Sequence, residues 1–351
     1  MGDVLSNTTI AIDVMGGDFG PQVTLAAVQR AAVLHPGVKF ALYGEAEGIN
    51  AFLAKHSNLS DICSVVDCEM SIAMDAKPSV ALRQGRKVSG MWRAIDAVKT
   101  GDASACVSAG NTGALMAMSK IILRTLPGIE RPALACIWPT VKGESVVLDV
   151  GATIGGSASQ YAQFAVMGAA YAKTVLGLLN PSIGLLNIGV EDVKGTDNVR
   201  EAAELLTRSD LNFTGFVEGS GIGMGDADVV VTDGFTGNVA LKTAEGTARQ
   251  IQHYLRQAMS SSWMSKLGYL FARGAFGALR DRMDPNAANG GMFVGLNGVV
   301  VKSHGGADVD GYTTAISVAI EVAQAKMVDM IAQDIEKMQA LLDDAWADTL
   351  D

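Results

Sequence analysis

The sequence is short of the residues that usually announce a chemistry. Its four cysteines, Cys63, Cys68, Cys106 and Cys136, show no C-x-x-C spacing and sit in apolar runs, so buried structural thiols are expected, not a metal site or a redox pair. There is no G-x-x-x-x-G-K-[ST] phosphate loop, and ATP-driven activation is therefore not expected. The glycine run Gly219, Gly221, Gly223, Gly225 does not satisfy the dinucleotide pattern G-x-G-x-x-G. Neither a G-x-S-x-G elbow nor an H-E-x-x-H zinc motif occurs, and a solitary H-x-x-x-x-D match, His56 to Asp61, is read as chance. Long apolar runs are missing too. Phe164–Leu179 is interrupted by Gly168, Lys173 and Gly177, short of the ~20 residues that span a bilayer. Met1–Asn7 lacks the basic and apolar regions of a signal peptide, so the expected compartment is the cytoplasm. Basic residues are also scarce, 27 against 37 acidic, and the net charge of −10 argues against nucleic acid as a partner. Any anionic partner must meet a local basic patch.

What the chain has is glycine, 40 residues of it, within a composition 49% hydrophobic and only 18% charged. Short apolar runs of strand length alternate with stretches of helical period, which predicts an α/β protein with a mostly parallel sheet covered by helices. Strands are expected near Ile10–Val14, Lys39–Tyr43, Ala105–Ser108, Val146–Val150, Ile183–Asn187, Val229–Thr232, Met292–Leu296 and Val299–Ser303. From Val239 to Met283 no strand-like run occurs, and the segment reads as a helical excursion broken at Ser260-Ser261-Ser262. A long C-terminal helix is expected over 313–345, and the whole of 1–351 is read as a single catalytic domain.

The strand ends carry the candidate site, because ligands of open α/β sheets bind at the carboxyl ends of strands. Gly16 and Gly17 precede a helix with Pro21 near its first turn, and Asn111 and Thr112 stand at another helix start; backbone N–H groups in such places cradle phosphate. Asn238 and Lys242 lie four apart on one helical face and are placed to grip one oxyanion. His304 follows the last apolar strand and precedes two glycines, which let a ligand approach closely.

Together, residues 12–21 (IDVMGGDFGP), 108–115 (SAGNTGAL), 131–133 (RPA), 148–152 (LDVGA), 185–189 (LLNIG), 194–195 (KG), 233–242 (DGFTGNVALK) and 302–305 (KSHG) resemble the bacterial phosphate acyltransferase family, PlsX. The resemblance implies a three-layer α/β/α fold like that of phosphotransacetylases and the isocitrate dehydrogenase type. It also implies a homodimer that moves an acyl group from acyl carrier protein to inorganic phosphate for phospholipid synthesis, with no cofactor and no metal. On that reading Gly16, Gly17, Asn111, Thr112 and Lys194 contact phosphate or oxyanion, while Asn238, Lys242 and His304 stand near the thioester, His304 as a proton donor. Two stretches depart from the family. After Ala152 it often continues Asn-Val-Asp-Cys, where this chain has Thr153-Ile154-Gly155-Gly156, and Val190 stands where a glutamate is common. An enzyme using coenzyme A thioesters and a non-catalytic membrane-surface scaffold are the alternatives. Arg83, Arg86 and Lys87, read as one face of a helix, are the expected docking patch for the acidic carrier protein. Trp263, Leu267, Leu270 and Phe271, interleaved with basic residues, are the expected contacts of a peripheral membrane face.

Overall fold

Along β1 (Thr9–Asp13) the side chains alternate, Ile10 and Ile12 joining one buried cluster and Ala11 another. A strand apolar on both faces needs cover on both, and the two clusters are the two interfaces of a three-layer sandwich. The computed structural model describes residues 8–282 and 289–347; Met1–Asn7 and the expected end of the excursion at Met283 lie outside them. On one side the helices Pro21–Leu34, Ala158–Val175 and Val309–Gln324 pack on the sheet, and on the other Gly90–Thr100 and Thr112–Ile122. Helix Ala158–Val175 is buried from Tyr161 through Ala172, and its start is fixed by a capping box in which Ser157 and Gln160 satisfy each other's backbone N–H groups.

The remaining strands are β2 (Lys39–Gly44), β3 (Cys63–Asp67), β4 (Ala105–Ser108), β5 (Ala133–Thr140), β6 (Gly143–Leu148), β7 (Ile183–Asn187), β8 (Phe213–Glu218), β9 (Val229–Val231), β10 (Gly291–Val294) and β11 (Val299–Lys302). They form one sheet in the order β3-β2-β1-β4-β11-β10-β5-β6-β9-β7-β8. Strands β3, β2, β1, β4 and β11 are mutually parallel, and so are β6, β9, β7 and β8. Between them β11–β10, β10–β5 and β5–β6 are antiparallel. The two parallel blocks therefore run in opposite directions. The strand ends that sequence alone treats as one crevice are two edges, one of β1, β4 and β11, the other of β6, β7 and β9.

Three expectations about helices need correction. The excursion starts at Gly234, not Val239, because Asp233 caps it by accepting hydrogen bonds from Phe235 and Thr236 N–H; what reads as a loop is its first turn. Helices Gly234–Ser260 and Trp263–Arg282 then make up the excursion, broken where the serines are. The C-terminal helix is two, Val309–Gln324 and Met327–Ala347, parted at Lys326, whose φ is 52°. The helix carrying Arg83 ends at Gly85, so Arg86 and Lys87 (φ 65°) lie in the turn beyond it, all three exposed. They form a helix-end patch, not a helical face.

Candidate active site

At the carboxyl edge of the first block three loops interlock. Asp18 N–H donates to the Gly305 carbonyl at 2.8 Å, and Ser303 N–H to the Ser108 carbonyl at 3.0 Å. Below them Ser108 Oγ donates to the buried Asp13 carboxylate at 2.6 Å and accepts from Gly110 N–H at 3.0 Å. Glycine is needed here for space. A Cβ on Gly16 would lie 2.7 Å from Gly110 N and 2.9 Å from Asp13 Oδ2; Gly17 has φ 92° and faces Ala109 and Gly305. Gly16, Gly17, Asn111, Thr112 and His304 thus belong to one cradle.

Asn111 is the N-cap of helix Thr112–Ile122. Its Oδ1 accepts from Ala114 N–H at 2.9 Å, and its Nδ2 donates to the Met74 and Ala76 carbonyls. Its side chain is engaged in structure, while the N–H groups of Thr112 and Gly113 have no intrahelical acceptor and carry the positive end of the helix dipole. His304 Nδ1 accepts from Gly306 N–H at 3.1 Å, which leaves Nε2–H as the donor of a neutral ring. Partial burial holds its pKa below the ordinary histidine value, helped by the charges of Lys242 and Lys302 and opposed by Glu245 and Asp18. Near pH 7 His304 therefore offers a hydrogen bond more readily than a proton.

Helix Gly234–Ser260 ties the second block to this cradle. Its Ala240 and Leu241 pack on the cluster containing Leu134, Val147 and Phe293, so the helix lies back over the central strands. One turn past Asn238 it brings Lys242, ion-paired to Glu245 at 3.0 Å, within electrostatic reach of Lys302 and His304. Asn238 itself lies over Gly151 at the edge of the second block. Lys194 is exposed on that same edge, its carbonyl accepting from Asn187 Nδ2 after β7. The candidates accordingly divide into a cradle on one block and the pair Asn238 and Lys194 on the other.

The second edge is braced by Asp149. Asp149 Oδ1 accepts from Leu134, Gly151 and Ala152 N–H groups, and burial raises its pKa against the pull of those bonds. Thr153, at a departure from the family pattern, accepts from Gly234 N–H at 3.1 Å and so supports the start of the bridging helix. Gly155 (φ 67°) is open on its Cβ side.

Sequence reasoning passed over Asp13 and Lys302. Burial lifts the Asp13 carboxyl to about 6, with Ser108, Met15 N–H and Lys302 pulling the other way. Lys302 was visible as a lysine closing an apolar strand, a position usually solvated. Elsewhere, all four cysteines are free, and burial raises each thiol's pKa, which keeps it protonated. His56 bonds the Phe52 carbonyl and stacks on its ring, a structural role.

Residues 8–330 match the family model described as fatty acid synthesis protein. The phosphate acyltransferase of Afipia carboxidovorans is 56% identical over 331 residues, 93% of this chain and 94% of that one. That of Parvibaculum lavamentivorans is 54% identical over 335 residues, 95% of this chain and 93% of that one. Among solved structures, a phosphotransacetylase from Streptococcus pyogenes shares the fold with a TM-score of 0.61 at 19% identity, covering 92% of this chain and 97% of that one.

Proposed function

The chain belongs to the fatty acid synthesis protein family, with relatives named phosphate acyltransferase, and on that premise we propose that it transfers a fatty acyl group from acyl carrier protein to inorganic phosphate. The acyl phosphate formed would feed phospholipid synthesis. The observation that carries the reading is the cradle. Two glycines, a helix N-terminus, His304 and two lysines converge on one strand edge in a protein whose net charge is −10. Phosphate needs no triad to become a nucleophile, so alignment against the thioester supplies much of the acceleration. Its oxygen attacks the thioester carbon, the C–O bond forms, and the C–S bond breaks to release the carrier as thiolate, which takes a proton from solvent. The oxyanion formed on the way needs donors. His304 Nε2–H and Lys242 at the cradle, and Asn238 and Lys194 from the other block, are assigned to that carbonyl and the departing sulfur.

Hydroxylamine trapping tests the reaction. Acyl hydroxamate should accumulate from acyl carrier protein thioester plus phosphate, and much less from the coenzyme A thioester; the reverse preference would favour the coenzyme A alternative. Reversing the charges of Arg83, Arg86 and Lys87 should raise the KM for the carrier thioester, most at low salt. A KM that ignores both the reversal and the salt concentration removes this patch as the docking surface.

The excursion is assigned to the membrane surface. Between Arg249 and Arg282 six basic residues stand against one acid, Asp281. Trp263, Leu267, Leu270 and Phe271 are 74, 48, 61 and 85% exposed. No helix among the described residues is long and apolar enough to cross a membrane, so contact would be interfacial, each basic residue adding ~1 kcal/mol at an anionic surface. Wild type should co-sediment with anionic vesicles and a Leu267→Glu, Phe271→Glu variant should not. Equal behaviour would leave this apolar face to the second copy of a homodimer, the assembly we also assign; a single-chain mass in solution would remove that assignment.

A further inference from the structure

Lys302 closes β11 after three buried valines, and its own side chain stays inside with them, the residue 8% exposed. Its Nζ donates to the Ala109 carbonyl at 3.3 Å and to the Ser303 carbonyl. Among the described residues no carboxylate lies within ion-pair distance of it. An ammonium carries three donors, and a buried charge held by neutral carbonyls alone is costly unless an anion joins it. The place where an anion would join is fixed by its neighbours. Ala109, which holds Nζ through its carbonyl, is the residue Gly17 packs against, and Ser303 is bonded to Ser108 beneath the same loop.

We infer that Lys302 is a substrate-binding residue of the reaction proposed above, its ammonium supplying the buried charge that holds inorganic phosphate in the Gly16–Gly17 loop. The inference rests on that reading of the reaction. Asp13 on β1 and Asp18 on the glycine loop favour the charged form of Lys302, and Lys242 on the bridging helix opposes it. His304, neutral above pH 7, and beyond it Glu245 complete the titratable surroundings. Burial outweighs these and leaves the amine with a pKa of about 8, so binding the phosphate dianion and keeping the proton are coupled. Asp13 and His304 change charge at lower pH and do not contribute above neutrality.

Initial rates over a range of phosphate concentrations, from pH about 7.5 to about 9.5 where phosphate is mainly the dianion and KM is referred to the dianion, give the test. In wild type kcat/KM for phosphate should fall above pH about 8 while kcat stays level. Lys302→Met should raise the phosphate KM about 30-fold, as loss of a charge-assisted hydrogen bond does, and leave the KM for the acyl donor within about twofold. Lys302→Arg keeps a charge that does not titrate in this range and should abolish the alkaline fall. An unchanged phosphate KM in Lys302→Met, or the same alkaline fall in Lys302→Arg as in wild type, overturns the assignment. If Lys302→Met does not fold, the arginine profile decides alone. A wild-type protein that forms no acyl phosphate overturns the reaction, and the role of Lys302 with it; an active wild type indifferent to Lys302 overturns the role only.

Discussion

Alanine at position 16 is expected to lower turnover at least ~10²-fold while the far-ultraviolet circular dichroism stays that of wild type. The added Cβ would stand 2.7 Å from Gly110 N, 2.9 Å from Asp13 Oδ2 and 3.2 Å from Ser108 Oγ. None of these is the loose end of a flexible side chain. Gly110 N–H is bonded to Ser108, Ser108 to Asp13, and Asp13 is buried at the end of β1, so the strain is relieved by moving the 109–112 loop away from the glycine loop. That movement widens the cradle by a fraction of an ångström to an ångström, and misplacement of that size is enough for a hundredfold loss. Stability should fall by about 1–3 kcal/mol, the usual cost of overpacking, which a protein of this size survives. Near wild-type turnover in Gly16→Ala would mean that phosphate does not sit in this loop.

Gly237→Ala is expected to act on the fold itself. A Cβ there would come 1.9 Å from the Asp149 carbonyl oxygen and 2.9 Å from Thr232 Cγ2, a main-chain collision that no rotamer relieves. The helix Gly234–Ser260 would have to lift off the end of β6, and with it the cap by Asp233 and the bond from Gly234 N–H to Thr153. Asp149 cannot yield easily, since its carboxylate is bonded to three backbone N–H groups. The loss should be at least about 3 kcal/mol, among the large effects that a single substitution produces. Chemical denaturation of the two proteins measures it. A midpoint shift equivalent to less than about 1 kcal/mol would show that the helix start is not held as tightly as the geometry requires.

The layering and the cradle were readable from the chain, and the reasons are local. β4 and β7 were bounded to the residue because apolar runs end there at a glycine-rich turn or a polar residue. The edge strands β3 and β8 were missed, since Ser64, Asp67 and Gly215 interrupt their pattern and half-exposed strands need no continuous apolar run. β5 was missed because Pro139 interrupts it. Strand direction leaves no mark on periodicity, and so the opposition of the two blocks, which puts Gly16 and Lys194 after strands that run in opposite directions, could not be read. The burial of Lys302 is a tertiary fact. It depends on carbonyls at Ala109 and Ser303, one of them almost two hundred positions away in the chain.

The order of strands also sets when the protein can become itself during synthesis. β10 and β11, residues 291–302, lie in the middle of the sheet between β4 and β5, so of the eleven strands described the two that join the blocks are the last to leave the ribosome. Until then β4 lacks its neighbour and presents an unpaired strand edge, with Ala105 waiting for Val299 and Ser108 for Lys302. Closing so long a loop late makes assembly slow and dependent on protection of that edge, most of all for chains truncated before residue 291. The cradle is completed by the same late segment, because His304 and Lys302 arrive with it. On the proposed reading, a nascent chain gains activity only once its sheet is sealed.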